Sequence, residues 1–235
     1  MSNSPRKGRR VFYTPERKVV IEEHELRALQ PKEVLIETVC TLISAGTEIG
    51  HRYSSDAQYR PGYSNVGRII ELGPETQESE YQAGDLVLSL SGHATHVIAG
   101  IEPHRLAKVP AGLDPGEAAF GVLGSVSIHG VHKAKVELGE YVMVSGLGLV
   151  GQMALQFIAQ MGCEALIAVD LEPFRLGKAR QLGATHAVNP KETDLKELVW
   201  ALTGKKGLDV TVEASGFPEA LVGAFDLARV GGRIM

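Results

Sequence analysis

Cysteine, tryptophan and aromatic residues are all scarce in this 235-residue chain: two Cys, one Trp, and 6% Phe, Trp and Tyr together. Cys40 and Cys163 are too few and too far apart in sequence to make a disulfide scaffold, so a reducing, cytoplasmic compartment is expected. No apolar run reaches the length of a membrane span, and no membrane partner is expected. The formal net charge is only −4, which argues against a general polyanion binder, and no nucleic-acid partner is expected. The one basic stretch, MSNSPRKGRR, lacks the apolar centre of a signal peptide. It reads as a disordered tail, with a nucleic-acid or targeting role for Arg6, Lys7, Arg9 and Arg10 as the alternative. Internal repeats and low-complexity tracts are absent as well.

What is present is a core-forming apolar fraction of 44%, arranged in two patterns that change near residue 115. Before it, RRVFYT, KVVIEE, EVLIETVCTLI, VGRIIELG, DLVLSL and THVIAG read as strands separated by turn dipeptides. That pattern predicts a compact β domain, a barrel or a sandwich. The stretch KVPAGLDPGEAAF, with two prolines and two glycines, is the boundary candidate, giving domains 1–115 and 116–235. After it, strands and helices alternate. YVMVS, ALIAVD, HAVNP and LDVTVEAS read as strands, and RIM as the start of a fifth. Val150, Met153, Ala154, Phe157, Ile158 and Met161 recur on one helical face. EPFRLGKARQLG closes at Gly183, TDLKELVWALTG starts at a Thr193 cap and stops before Gly204, and PEALVGAFDLARVGG runs from Pro218 to Gly231. This repetition predicts a doubly wound parallel sheet.

Between YVMVS and the first helix stands G-x-G-x-x-G: Gly146, Gly148 and Gly151, with Leu147, Leu149 and Val150 between and around them. Glycine is common, so the context carries the argument: the motif leaves a strand, opens a helix and begins a βαβ unit. The first glycine permits the tight turn, the second lets backbone approach a pyrophosphate, and the third lets helix and strand pack closely. The helix N-terminus adds free N–H groups and partial positive charge for phosphate. About 20 residues on, the pattern needs an acid, and Asp170 ends ALIAVD. A carboxylate there binds a ribose diol and repels a 2′-phosphate, so NAD is expected in preference to NADP.

On these residues the chain resembles the medium-chain dehydrogenase/reductase family, the zinc-type alcohol and polyol dehydrogenases. AGTE, PGYSNVGRIIELG and AGDLVLSL resemble landmarks of its N-terminal GroES-like β-barrel domain. LGEYVMVSGLGLVGQMALQFIAQMG, LGATHAVNP and VEASGFPEAL with VGGRI resemble its Rossmann cofactor domain. The resemblance implies an oxidoreductase moving hydride between a nicotinamide cofactor and an alcohol or polyol, or the matching ketone or aldehyde, as its small-molecule substrate. It adds Ser127, Arg175 and Ser215 to the cofactor set. Members with catalytic zinc carry Cys in a CGTD-like motif and His-Glu in a PGHE-like motif. Here those positions hold Ala45, Tyr63 and Ser64, and the four-cysteine structural cluster is missing, so no zinc of either kind is expected. SAGTE with GYS-x-VG resembles a zinc-free branch that includes bacteriochlorophyllide dehydrogenase-like proteins and bi-domain oxidoreductases.

Without a metal, side chains must handle the proton. Thr47, Glu48, His51 and Tyr63 are the candidates. Thr47 matches the family's hydroxyl relay or is a plain turn residue. Glu48 is a base or a cation's partner. His51 has a fitting pKa but sits one residue out of register. Tyr63 is an acid or an aromatic wall. His93 and His96 read as ordinary histidines, and Cys163 as a buried filler. An NADPH-dependent quinone or enone reductase, against which Asp170 counts, and a non-catalytic dinucleotide binder are the alternatives. The resemblance also implies further strands beyond Met235, the sixth being the family's usual dimer edge, so the chain reads as C-terminally truncated with an incomplete Rossmann sheet. Homo-oligomerisation, or a remaining segment on another chain, is expected.

Overall fold

The computed structural model describes residues 6–52, 59–76 and 79–235, with backbone only at residues 51 and 52. The chain falls into two compact units, Met1–Val122 and Leu123–Met235. Every strand pair described in the first unit is antiparallel. Strands β1 (Lys7–Tyr13) and β2 (Val19–Glu25) form a hairpin in register from Lys7 against Glu25 to Tyr13 against Val19. Lys7, expected in a tail, is therefore in a strand, with Arg9 and Arg10 of the expected strand RRVFYT. The pairing supplies the reason: Lys7 meets Glu23 at 3.5 Å and Arg10 meets Glu22 at 3.3 Å across the ladder, while Arg6 pairs with Glu71. Opposite charges on facing strands favour the register that a single-strand reading cannot see.

The larger sheet has the order β6 (His96–Gly100), β3 (Glu33–Thr41), β4 (Asn65–Leu72), β5 (Leu86–Ser89) and β7 (Leu106–Lys108). Val34 and Ile36 alternate onto one face of β3 and meet Ile69, Val87, Ala99 and Leu106 in one core. β7 went unforeseen because three residues carry no periodicity. A π-helical segment, Gly46–Arg52, follows β3. The expected boundary at 115 coincides with a short helix, α1 (Pro115–Ala118), capped by Asp114. Ala118 and Ala119 still bury against Val66, so the first unit continues to Val122.

The second unit begins in α2 (Gly121–Ala134) and continues β8 (Tyr141–Ser145), α3 (Leu149–Ala159), β9 (Ala165–Val169), α4 (Pro173–Gln181), β10 (His186–Val188), α5 (Leu195–Thr203), β11 (Leu208–Glu213), α6 (Pro218–Leu227) and β12 (Ala228–Ile234). All five strands are parallel, in the order β10-β9-β8-β11-β12. The sheet is apolar on both faces, as buried parallel sheets are. Val142, Val144, Leu166, Ala168, Val210 and Val212 face one core with α3 and α4 residues such as Ile158 and Leu176. Met143, Ile167, Val169 and Leu208 face another with Val199 of α5 and Leu227 of α6. The chain winds outward from β8 in one direction and then in the other, which makes the end of β8 the topological switch point where ligands of such sheets bind. Among the described residues, no helix is long and apolar enough to cross a membrane.

Two element ends differ from expectation. Asp194, not Thr193, caps α5, because its carboxylate accepts from the Lys196 and Glu197 N–H groups. Helix α6 stops at Leu227 rather than near Gly231, since Ala228–Ile234 is drawn into the ladder beside β11. Sheet pairing there overrides helical periodicity. The edge is tied down by side chains. Arg233 donates to both Glu140 oxygens and to the Ala134 and Lys135 carbonyls. Asp209 accepts from Tyr141 N–H at 2.8 Å and from Arg229 Nε.

Burial by itself would raise the Asp209 carboxyl, but the Tyr141 N–H and the Arg229 and Arg233 charges outweigh it and hold it below its usual value. A depressed folded-state pKa gives stability that is complete above the unfolded value of about 3.9 and lost as pH falls through the folded one. Asp209→Asn is therefore expected to cost on the order of 1 kcal/mol at pH 7. The gap to the parent should close as pH drops through that window. Urea unfolding followed at Trp200, the single tryptophan and a residue of α5, measures it. A gap that stays constant with pH would contradict the assignment.

Candidate functional site

The glycine loop closes the switch point. Gly146 has φ of +85°, and a Cβ there would lie 2.4 Å from the Ser215 backbone nitrogen, so only glycine fits this turn. A Cβ on Gly151 would lie 1.9 Å from the Gly146 carbonyl oxygen. Those two glycines are explained by contacts inside the unit. Gly148 is not: its φ is an ordinary −66°, and a Cβ there would meet nothing within 4 Å. It is the cap residue of α3, and no side chain caps that helix. The start of α3 thus lacks a side-chain cap and has the helix dipole behind its first-turn N–H groups, an arrangement suited to an anion such as a pyrophosphate.

Asp170 stands at the end of β9, with a side chain 7% exposed. One carboxylate oxygen accepts from Leu147 N–H at 2.6 Å and lies 3.4 Å from Arg175 Nη1; the other accepts from Glu172 N–H at 2.9 Å. The acid ties the glycine loop to the start of α4. Leu147 contributes backbone only, its side chain being buried in the core, while Leu149 is exposed and Val150 half-buried. Ser215 lies against Gly146, and both its N–H and its hydroxyl donate to Glu213. Ser127 is buried, with its hydroxyl within 3.0 Å of the Leu123 carbonyl and 3.1 Å of the Val150 carbonyl, and so fastens α2 to α3. The structure gathers Gly146 to Gly151, Asp170, Arg175 and Ser215 at one end of the sheet and turns the Ser127 hydroxyl to packing.

In the first unit, the candidates for proton handling part company. Thr47 is half-buried and bound into its own turn, its N–H donating to Ser44 O and its hydroxyl 3.4 Å from Ser44 Oγ. Tyr63 is half-buried. The His51 side chain lies outside the described residues. Ser64 is buried and donates to the Ala119 carbonyl at 2.6 Å, while Ala45 offers a methyl group. Glu48 is not an exposed base: it is wholly buried. Its Oε1 accepts from Ser44 N–H, and its Oε2 lies 2.8 Å from His93 Nε2. His93 Nδ1 is in turn 2.8 Å from Thr41 Oγ1. His93 is the residue that sequence reasoning passed over. It is 45 positions from Glu48, and no local periodicity marks it. His96 bonds Thr95 instead. Among the described residues, no group of three or more His, Cys, Asp or Glu side chains is placed to hold a metal ion. Burial pushes the Cys40 and Cys163 thiols up, which suits fillers rather than nucleophiles.

An antiparallel β unit followed by a doubly wound parallel sheet, whose first helix opens at a glycine-rich turn, defines a two-unit α/β protein. The zinc-binding dehydrogenase family matches residues 150–235. D-guloside 3-dehydrogenase of Escherichia coli K12 is 34% identical over 178 residues, 75% of this chain and 50% of that protein. The chain thus spans half the length of this curated relative. Alcohol dehydrogenase TADH from Thermus sp. ATN1 is 24% identical, with a TM-score of 0.83 over 96% of this chain and 76% of that one. The alcohol dehydrogenase RspB of Escherichia coli CFT073, solved with cofactor NADH, is 19% identical, with a TM-score of 0.82 over 97% of this chain and 75% of that one. The chain belongs to the medium-chain dehydrogenase/reductase superfamily.

The contrast between two glycines makes the cradle testable. Gly148→Ala should cost no more than about 1 kcal/mol of stability, as a change of cap residue. It should nonetheless weaken ADP-ribose binding at least about tenfold, or ~1.4 kcal/mol. Gly151→Ala should lose both binding and about 1–3 kcal/mol of stability through overpacking. Calorimetric titration and thermal melting read the two effects; unchanged ADP-ribose affinity in Gly148→Ala would remove the phosphate from this loop.

Proposed function

We propose that the chain is the cofactor-binding and proton-handling part of a nicotinamide-dependent oxidoreductase acting on an alcohol or polyol, or the matching carbonyl compound. The observation that carries this reading is Gly148: an uncapped helix start at the switch point, where no contact among the described residues calls for glycine. The dehydrogenases to which the chain is similar, one of them solved with NADH, support the reaction class. A bound nicotinamide supplies hydride acceptance or donation. The chain's own residues supply the rest: Gly146, Gly148 and Gly151 shape the pyrophosphate cradle, Leu149 and Val150 offer backbone N–H groups, and Asp170 addresses the adenosine ribose. Its carboxylate favours a free 2′-hydroxyl, hence NAD over NADP, and speaks against a quinone or enone reductase of the NADPH type. Arg175 at its shoulder tempers that preference.

We also propose that no catalytic zinc takes part. Ala45 has no donor atom, the Ser64 hydroxyl is spent on a backbone carbonyl, and Tyr63 is a poor zinc ligand, so the donor set does not fit that ion. A reducing, cytoplasmic setting suits its two free thiols.

Calorimetry should find NADH bound more tightly than NADPH, with Asp170→Ser narrowing or reversing the gap; equal affinities in the parent would overturn the assignment. Nicotinamide absorbance with a panel of alcohols and sugars tests the reaction class. Elemental analysis of protein purified without added metal should find well under one zinc per chain. Stoichiometric zinc, removed by a chelator together with activity, would reverse the second proposal.

A further inference from the structure

We propose that the outer edge of β2 is a docking surface for a second copy of this chain, the two β2 strands pairing antiparallel about a two-fold axis at Val20, with Lys18 of each copy facing Glu22 of the other. The proposal is independent of the dehydrogenase reading above.

Among the described residues the hairpin is a two-stranded sheet of its own, so β2 has a strand on one side only. The ladder fixes which backbone groups point outward. Thr14 N–H donates to the Lys18 carbonyl at one end, and Leu26 N–H to the Arg6 carbonyl at the other. Bonded and non-bonded pairs alternate along an antiparallel ladder. Lys18, Val20, Glu22 and His24 therefore turn their N–H and C=O groups toward β1, and Val19, Ile21, Glu23 and Glu25 turn theirs away from it. The strand is apolar where it is open: Val19 is 58% exposed, Val20 39% and Ile21 70%. An open edge that carries apolar side chains is a template for another strand.

Charge selects which strand. Residues 17–23 read RKVVIEE, basic at one end, acidic at the other and apolar between. A second copy laid antiparallel sets each basic end against an acidic one, whereas an in-register parallel copy sets like against like. The same rule fixes the register. An axis through Val20 puts Val20 on Val20, Val19 on Ile21 and Lys18 on Glu22. Val19 and Ile21 both have outward backbone groups, so each such pair exchanges two N–H···O=C bonds. Val20 with Val20 and Lys18 with Glu22 fall at the non-bonded positions, where facing side chains approach most closely. An axis at Ile21 would set Val19 and Val20 against Glu23 and Glu22, and an axis at Glu22 would set that carboxylate against itself.

The acidic end also has partners within the hairpin, Glu22 with Arg10 at 3.3 Å and Glu23 with Lys7 at 3.5 Å. Both carboxylates stay exposed, and each has lone pairs for a second cation. A contact made by residues 18–22 on each side is smaller than a standard protein interface, so the dimer is reversible and sensitive to salt.

Sedimentation of the full chain over a range of concentrations at low salt should show a monomer–dimer equilibrium that weakens as salt is raised. Ile21→Pro removes an outward N–H and leaves the ladder with β1 intact. It should keep the parent's thermal melt and weaken dimerisation at least about tenfold. Lys18→Glu and Glu22→Lys should each be monomeric alone, and an equimolar mixture should dimerise, because every facing pair is then of opposite sign. With an added oxidant, Val20→Cys should cross-link two chains beyond the parent's level and Val19→Cys should not, since only Val20 meets its own counterpart. A parent chain that stays monomeric overturns the proposal. So does a dimer unchanged by Ile21→Pro, or a mixture of Lys18→Glu with Glu22→Lys no more dimeric than either alone. NADH binding and alcohol oxidation decide the dehydrogenase reading separately.

Discussion

Helix α3 starts against the end of β8 with no side chain between them: the Gly151 backbone rests on the Gly146 carbonyl, at a distance that leaves no space for a Cβ. Much of the second unit depends on that contact. It brings the α3 N–H groups to the end of the sheet, lets Leu147 bury its side chain, and leaves its N–H for the Asp170 carboxylate at 2.6 Å. Asp170 in turn accepts from Glu172 N–H at the start of α4, so two helix entrances share one acid. A loop with conformational freedom would spend binding energy on ordering itself; this one is already closed by packing and hydrogen bonds.

The first unit poses the opposite problem, a charge without solvent. Glu48 is enclosed where the π-helical segment turns back on the sheet, and its partner comes from a loop far along the chain. The imidazole of His93 answers it, and the Thr41 hydroxyl bonds the ring's other nitrogen, each at 2.8 Å. Both units thus concentrate polarity at a few positions and surround it with packed Val, Ile and Leu, where the low dielectric strengthens each remaining interaction.

The period-2 and 3.6 patterns, the glycine spacing and the acid at the end of β9 were legible in the chain because each is local. The side chains that build the parallel sheet alternate between two cores, and Val142, Met143 and Val144 read that way in the bare sequence. What was misread depended on partners. Lys7 looks like part of a basic tail until Glu23 is set across from it. Ala228 to Val230 look helical until β11 offers a ladder.

By itself, then, the sequence determined the class of each half, the position of the glycine turn that opens α3 and the presence of an acid at the end of β9, since those follow from spacing within some tens of residues. Only the tertiary structure decided that Glu48 is interior and that His93, rather than a nearer residue, answers it. Hydrogen bonding between Thr41, Glu48 and His93 is a matter of where three separate loops and strands come to rest, and side-chain identity along the chain holds no trace of that distance.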